Sequence, residues 1–445
     1  MALGSSPSAG RAPSRLDRAL GWFTKVEPGE GVGALLLSLE VCVLLCAYYV
    51  LKPVREALIL ASPSGAELKS YAAVGQIALL SAIVPGYSAL VSRFDRGRLI
   101  RVVTLAFVGC LLGFYLFARF ELPGLGLVFF LWVGVFNLMV VAQFWAFASD
   151  LYSKQQGERL FPIVAFGASI GAVAGSRLTS VLVDPLGIPQ MMLVSAGLLL
   201  GALLLGELAE KRMGTGAAPE GGPSDAPKRE AGAKGGQGGF RLVASSRYLL
   251  LIGLLMLLLN FVSSTGEFLL SSLVKKRAEA VASTDVSTFI GEFYSDFYFW
   301  VNLGGVLVQL FVTPRLVQRF GVRVALLVLP VLALAGNLAI SLLPILVIVR
   351  WTKTGQNALD YSLNNTVRNA LFLPLTAQEK YKSKQVVDTV FVRAGDVLAA
   401  GLVFVGRELF DWPISAFALV NVVLGVLWLL VALRLGLAYQ KQAPQ

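Results

Sequence analysis

Histidine is missing from all 445 residues. The side chain that exchanges a proton most readily near neutral pH is therefore unavailable, and any proton the protein moves must ride on a carboxylate. Cysteine is scarce: Cys42, Cys46 and Cys110 all fall in apolar stretches. Thiols there pack as small hydrophobes more often than they bridge or bind metal, so neither a disulfide nor a metal site is expected. Charge is thin at 15% of residues against 56% hydrophobic, with a mean hydropathy of +0.72, and this excludes a water-soluble fold of such length. Also lacking are a GxxxxGK(S/T) phosphate loop, a histidine-based catalytic set and an extramembrane stretch able to form a catalytic domain. An enzyme is not expected, nor is a cofactor. The formal net charge of +11 has no soluble basic domain to carry it, which argues against nucleic-acid binding.

What the chain has in abundance is apolar runs. Twelve, each long enough to cross roughly 30 Å of hydrocarbon, lie at 31–52, 70–91, 99–119, 124–148, 160–183, 189–208, 247–273, 286–312, 322–341, 343–370, 386–408 and 412–438. They predict an all-α integral membrane protein of twelve transmembrane helices. Residues 209–245 are rich in Gly, Pro, Ala and Lys without apolar period and read as a flexible linker. The expected organisation is a tail at 1–30, a six-helix half at 31–208, the linker, a second six-helix half at 246–438 and a tail at 439–445. The first 30 residues read as flexible with a short amphipathic piece at 16–26, and not as a cleaved signal peptide, since no small-residue cleavage site follows the long first run.

Basic residues orient the spans. Arg11, Arg15, Arg18 and Lys25 precede the first, Arg93, Arg96, Arg98 and Arg101 lie between the second and third, and Lys154 and Arg159 follow the fourth. By the positive-inside rule the linker and both termini are cytoplasmic. One loop disagrees: Lys275, Lys276 and Arg277 fall on the opposite side, next to Glu279 and Asp285. The halves also resemble each other: LVSRFDRGRLIRVV from residue 90 is echoed by LVQRFGVRVALLVL from 316, and ERLFPIVAFGASIGAVAG from 158 by SKQVVDTVFVRAGDVLAAG from 383. Six plus six spans with a central cytoplasmic loop is the layout of the major facilitator fold, and SRFDRGRLIR resembles that superfamily's cytoplasmic signature. The resemblance implies a substrate site near midplane between the halves, rocking of one half on the other, and a gating role for Asp95.

Charge inside an apolar run costs several kcal/mol unless it faces protein or water, so each instance nominates a site. In YYVLKPVREALIL, residues 48–60, Lys52, Arg55 and Glu56 can share one helix face, Lys52 and Glu56 as an i,i+4 pair, with Pro53 expected to kink or interrupt the helix. In the tenth run Arg350, Lys353, Asn357, Asp360, Asn364 and Arg368 follow one another at intervals of three or four, a single polar stripe that must face the bundle interior. Glu40, Asp150, Arg177, Glu267, Glu292, Asp296, Asp388, Arg393 and Asp396 are scattered through other spans, where some must form structural pairs, Arg393 with Asp396 among them. Lys52, Arg55, Lys353 and Arg368, with Asn357 and Asn364, suggest a cavity that attracts anions. Glu56, Asp150, Glu267, Glu292, Asp360, Asp388 and Arg393 are the gating or coupling candidates.

YYVLKPVREALILASPSGAELKSY resembles the first-helix signature of the nucleotide transporter family, the ATP/ADP translocases of plastids and obligate intracellular bacteria. QFWAFASDLYSKQQGERLFPIVAFGASIGAVAGS and NNTVRNALFLPLTAQEKYKSKQVVDTVFVRAGD are similar to two further family segments, so the resemblance spans both halves. It implies phosphate contacts at Arg55 and Arg368 and counter-charges or gates at Asp150 and Glu267. The chain departs from the pattern at Ser271, where a lysine usually follows the helix-seven glutamate, at Asn369 in place of an acid, and at Asp396 in place of a lysine. The expected function is secondary transport of an organic anion, a nucleotide or another phosphorylated metabolite, by a divergent bacterial member working as a monomer in the lipid of the inner membrane. The alternative is a proton-coupled facilitator for a non-nucleotide small molecule, with Glu267, Asp360 or Glu292 as proton carrier.

Overall fold

The computed structural model describes residues 14–22, 24–91, 96–120, 122–213, 235–281 and 285–442. Helix follows helix: α1 (Arg15–Leu20), α2 (Gly31–Leu60), α3 (Gly65–Val91), α4 (Arg96–Arg119), α5 (Leu125–Leu151), α6 (Lys154–Leu186), α7 (Ile188–Met213) and α8 (Gly235–Ser245) come first. Then come α9 (Arg247–Ala280), α10 (Val286–Leu307), α11 (Thr313–Leu342), α12 (Leu346–Leu359), α13 (Asn365–Ala370), α14 (Ala377–Val386), α15 (Val392–Phe404) and α16 (Ile414–Gln442). No strand occurs among the described residues. The expected all-α membrane architecture is borne out.

Nine helical runs among the described residues are long and apolar enough to cross a membrane. The longest, Val286–Leu342, breaks at Gly321, whose φ of 74° and ψ of 171° suit a residue without Cβ, so it carries two of the expected runs. α3 and α12 fall outside the nine, α12 being only 14 residues long before its α-helical hydrogen bonding changes. Single π-helical turns at Val308–Val312, Asp360–Asn364, Val387–Phe391 and Val405–Leu409 interrupt the carboxy-terminal helices. Such turns re-aim side chains and often sit at functional sites. Pro53 does not interrupt α2, which stays helical to Leu60.

Packing divides the chain into two compact units. Unit 1 holds Met1–Val54, Pro85–Leu122 and Val133–Ser224; unit 2 holds Arg55–Val84, Pro123–Trp132 and Asp225–Gln445. In unit 1, Ala34, Leu37 and Val41 of α2 meet Phe144 and Ala148 of α5 and Leu160 and Val164 of α6. Beside this core Gly167, Gly171 and Gly175, four residues apart, lay α6 directly on the backbone of Ser38, Cys42 and Cys46 in α2. A Cβ at any of the three would collide with those carbonyls. Close small-residue contact of this kind is how membrane helices gain packing energy without a hydrophobic drive between them. Ahead of α2, the Asp17 carboxylate accepts the backbone N–H groups of Ser14, Gly29 and Gly31 at 2.9, 3.2 and 3.0 Å. Burial pushes that carboxyl up, but the hydrogen bonds from Ser14, Gly29 and Gly31 outweigh it and hold it below its usual value.

Unit 2 is built around α9, which is buried against α15 and α16 along much of its length. Leu255, Leu259 and Val262 of α9 pack with Leu326 and Leu329 of α11 and Trp428 and Leu435 of α16. α12 lies against α10 and α9, which carries its polar residues toward theirs.

The glycine contact in unit 1 makes a prediction. Gly171→Leu should destabilise the protein by about 3 kcal/mol, since neither backbone can give way easily. Gly197→Leu, at a position with open space around it, should be near neutral. Thermal unfolding in detergent, followed by size-exclusion profile, compares the two.

Candidate functional site

The site grows from the turn between α2 and α3. Gly65 donates its N–H to the Ser62 carbonyl at 3.1 Å, and a Cβ on Gly65 would strike the backbone of Ile59 and Leu60, so glycine is required for the chain to reverse this tightly. The reversal returns Lys69, one turn into α3, alongside Glu56. Gly126 likewise lets the start of α5 rest on the Leu58 carbonyl, bringing up Phe130.

Glu56 has no exposed surface and is met from three directions. Arg55 donates to its Oε1 through both Nε, at 3.2 Å, and a terminal nitrogen. Lys69 Nζ lies 2.7 Å from Oε2, and Tyr298 donates its hydroxyl to Oε1 at 3.2 Å. The Arg55 guanidinium also stacks over the Phe130 ring, 4.7 Å from its centroid. From Lys69 the network continues into α9. Its ammonium donates to Ser271 Oγ at 3.0 Å and stands 3.8 Å from Glu267 Oε2, while Ser271 and Tyr294 share a 3.0 Å hydrogen bond.

Glu267 is reached from α12 as well. Lys353 Nζ lies 3.2 Å from Oε1 and donates to the Ser263 carbonyl at 3.1 Å, and Asn357 donates to the same Oε1 at 3.2 Å. The Lys353 side chain is almost wholly buried and passes over Gly266, where a Cβ would come within 3.1 Å of its Cδ. Charges alternate along the series Arg55, Glu56, Lys69, Glu267, Lys353. Three cations face two carboxylates, leaving one positive charge in surplus. A cavity of about 140 Å³ opens beside it, lined among others by Lys69, Phe130, Ser264, Glu267 and Asp396. Such an arrangement can accept an anion by exchanging carboxylate partners for anionic oxygens without leaving a buried charge bare.

The structure thus gathers Arg55, Glu56, Glu267, Lys353 and Asn357 into one network. The other nominated residues lie elsewhere. Lys52 is buried in unit 1, its ammonium over the rings of Tyr49 and Tyr48 at 4.8 and 5.7 Å. The tenth-run stripe does not act as one face, because the π turn at Asp360–Asn364 shifts its register. Above it Arg350 pairs with Asp296 of α10, and within it Asn364 donates to Asp360 at 2.7 Å. Beyond it Arg368, partly buried, reaches Asn365 at 3.4 Å. Arg393 and Asp396 lie 3.5 Å apart, with Ser264 donating to Asp396 at 2.8 Å. Glu292 and Asp388 are partly buried and Asp150 is exposed. Asp95 lies outside the described residues.

Sequence reasoning overlooked Lys69, Tyr294 and Tyr298. Lys69 was visible as a lysine one turn past the turn glycine, within a segment already singled out. At Ser271, where the resemblance leads one to expect a lysine, the structure places the ammonium of Lys69 against the serine hydroxyl.

The chain is 25% identical over 303 residues to ADP,ATP carrier protein 1 of Chlamydia pneumoniae, covering 58% of this chain and 56% of that protein. It is 24% identical over 347 residues to ADP,ATP carrier protein 1 of Chlamydia trachomatis serovar D, covering 67% and 62%. The chain is a divergent relative of the ADP,ATP carrier proteins. It spans somewhat more than half the length of the relatives it matches. No family model matches the chain. Among solved structures, a POT family transporter in complex with a thioalcohol-conjugated peptide superposes with a TM-score of 0.63 at 12% identity, over 93% of this chain and 97% of that one. The nucleoside transporter NupG superposes with a TM-score of 0.58 at 11% identity, over 92% and 100%. These likenesses show the major facilitator-type fold. The family resemblance read from the motifs and the fold expected from the span layout both stand.

Lys353 gives the network a direct test. Lys353→Met leaves Glu267 with less positive charge in a buried place and should cost about 3 kcal/mol of stability, as breaking one side of a buried pair does. Adding Glu267→Gln to that variant should return part of the loss. Unfolding of the purified variants in detergent measures both.

Proposed function

We propose that the protein is a secondary carrier that exchanges nucleotides, ATP for ADP or a similar pair, across the bacterial cytoplasmic membrane by alternating access. The observation that carries this reading is the alternating network of Arg55, Glu56, Lys69, Glu267 and Lys353 with its surplus positive charge, in a chain whose curated relatives are named ADP,ATP carriers. A polyphosphate offers several anionic oxygens at once and can replace Glu56 and Glu267 as the partner of these cations. Arg55 supplies planar bidentate donors for it, and Lys69 and Lys353 compact charges.

Of the ion pairs that an anion would displace, Lys69 with Glu267 joins α3 to α9, whereas Arg55 with Glu56 and Lys69 with Glu56 lie within α2 and α3 and Lys353 with Glu267 joins α12 to α9. These helices belong to the two six-helix halves at 31–208 and 246–438. Exchange of carboxylate for phosphate would loosen the ties between halves and permit one to rock on the other, with the linker and both termini on the cytoplasmic side. Arg368, beyond the π turn, would then meet phosphate from the cytoplasmic end of the path. Coupling by exchange follows, since an empty site would restore the carboxylate pairs and favour the closed arrangement.

Proteoliposomes loaded with ADP should take up labelled ATP, and Arg55→Ala or Arg368→Ala should lower that uptake at least about tenfold, equivalent to about 1.4 kcal/mol of lost anion binding. Saturable transport of neutral solutes with no effect of nucleotide would refute the reading.

A further inference from the structure

Unit 1 holds a buried carboxyl that the charge network does not use. Glu40, in the first third of α2, is 6% exposed, and its Oε2 has no hydrogen-bond partner among the described residues. It lines a partly open cavity of about 40 Å³ between α2, α4, α5 and α7, with room for about three water molecules. Its carboxyl packs against Gly206 of α7, where a Cβ would lie 2.8 Å from Oε1. Gln143 of α5, also 6% exposed, faces the same cavity with its Nε2 unpartnered. Phe107, Phe136, Phe144 and Leu199 make up much of the remaining wall.

Charged groups at this cavity are few. α4 contributes Arg101, α7 contributes Glu207 and Glu210, and α5 offers only the neutral amide of Gln143. Arg101 is committed to Glu207, its Nε 2.8 Å from Oε1. No ion pair to Glu40 exists among the described residues, in contrast to Glu56 and Glu267 with their cations. An isolated carboxylate is poorly tolerated in so apolar a space, whereas the neutral acid is tolerated well. Gln143 offers a donor to the charged form and an acceptor to the acid, so either form can be met.

We propose that Glu40 is a proton-binding site of the carrier, exchanging its proton with water while its cavity is open and holding it as the neutral acid while the cavity is closed. In unloading, the O–H bond of the acid breaks, the electron pair stays on the carboxylate and the proton passes to water; loading is the reverse. The site would couple the transport cycle to a proton gradient, and it stands apart from the anion network, so it does not depend on the substrate being a nucleotide. It also replaces Glu267, which has two lysines beside it, as the proton carrier of a chain without histidine.

Infrared titration of purified protein in detergent tests the site directly. The carbonyl band of a protonated carboxyl should be present at neutral pH in the parent protein and in Glu40→Asp, absent in Glu40→Gln, and unaffected in the control Glu210→Gln. In proteoliposomes carrying a trapped pH dye, ATP added outside ADP-loaded vesicles should move protons with the parent protein, while Glu40→Gln keeps ATP/ADP counterflow but loses proton movement at least about fivefold. An unchanged band in Glu40→Gln, or proton movement undiminished by it, overturns the assignment. A Glu40-dependent band in a protein that moves neither ATP nor ADP supports the proton site and overturns the nucleotide reading.

Discussion

A carboxylate with none of its surface in water must be met by positive charge and hydrogen-bond donors, because leaving it unpaired costs several kcal/mol. Glu56 imposes that condition on unit 2. Arg55 satisfies it from the same helix, Lys69 from the next, and Tyr298 from α10. Each of these partners then requires others. Lys69 cannot be buried beside Glu56 without its further contacts to Ser271 and Glu267, and Glu267 in turn needs Lys353 and Asn357. Five helices are therefore placed by one chain of charge compensation, and the tight turn at Gly65 and the bare backbone at Gly126 and Gly266 make that placement sterically possible.

The same compensation gives a physical reason for the departures from the carrier pattern. A lysine at position 271 would bring another ammonium to the spot that Lys69 occupies, and like charges there would repel. With serine at 271 the hydroxyl accepts from Lys69 and shares a hydrogen bond with Tyr294, so the positive charge is kept while its helix of origin changes. Asp396 is likewise absorbed locally by Ser264 and Arg393.

Much of the fold was legible because hydropathy is a local signal: a run of about 20 apolar residues needs no tertiary information to be read as a span. Charges in those runs or directly behind one were legible for the same reason, and Arg55, Glu56, Glu267 and Lys353 were found that way. Their pairing was not legible. Lys52 lies at the favoured i,i+4 spacing from Glu56, yet Glu56 is held by Lys69 across a turn and Tyr298 some 242 residues away in sequence. Lys69 sits near a helix start, where a lysine ordinarily reaches the interface. The stripe on α12 was read from regular spacing, which presumes an unbroken α-helix; the π turn at Asp360–Asn364 inserts extra rotation that no residue type announces. Pro53 misled in the opposite sense, because a helix interior can absorb one missing donor when neighbouring helices hold the segment. Glu40 resembled other intramembrane carboxylates in sequence, and only its surroundings separate it from Glu56: one lies among cations, the other in an apolar cavity.

The central claim is that Lys69 and Glu56 are energetically one unit, on which both the packing of unit 2 and its capacity for anions rest. A double-mutant cycle of Glu56→Gln and Lys69→Met, read as unfolding free energy in detergent, addresses it directly. The account predicts a coupling of at least about 2 kcal/mol, with the double variant more stable than Lys69→Met alone; effects that add to within about 0.5 kcal/mol would contradict it.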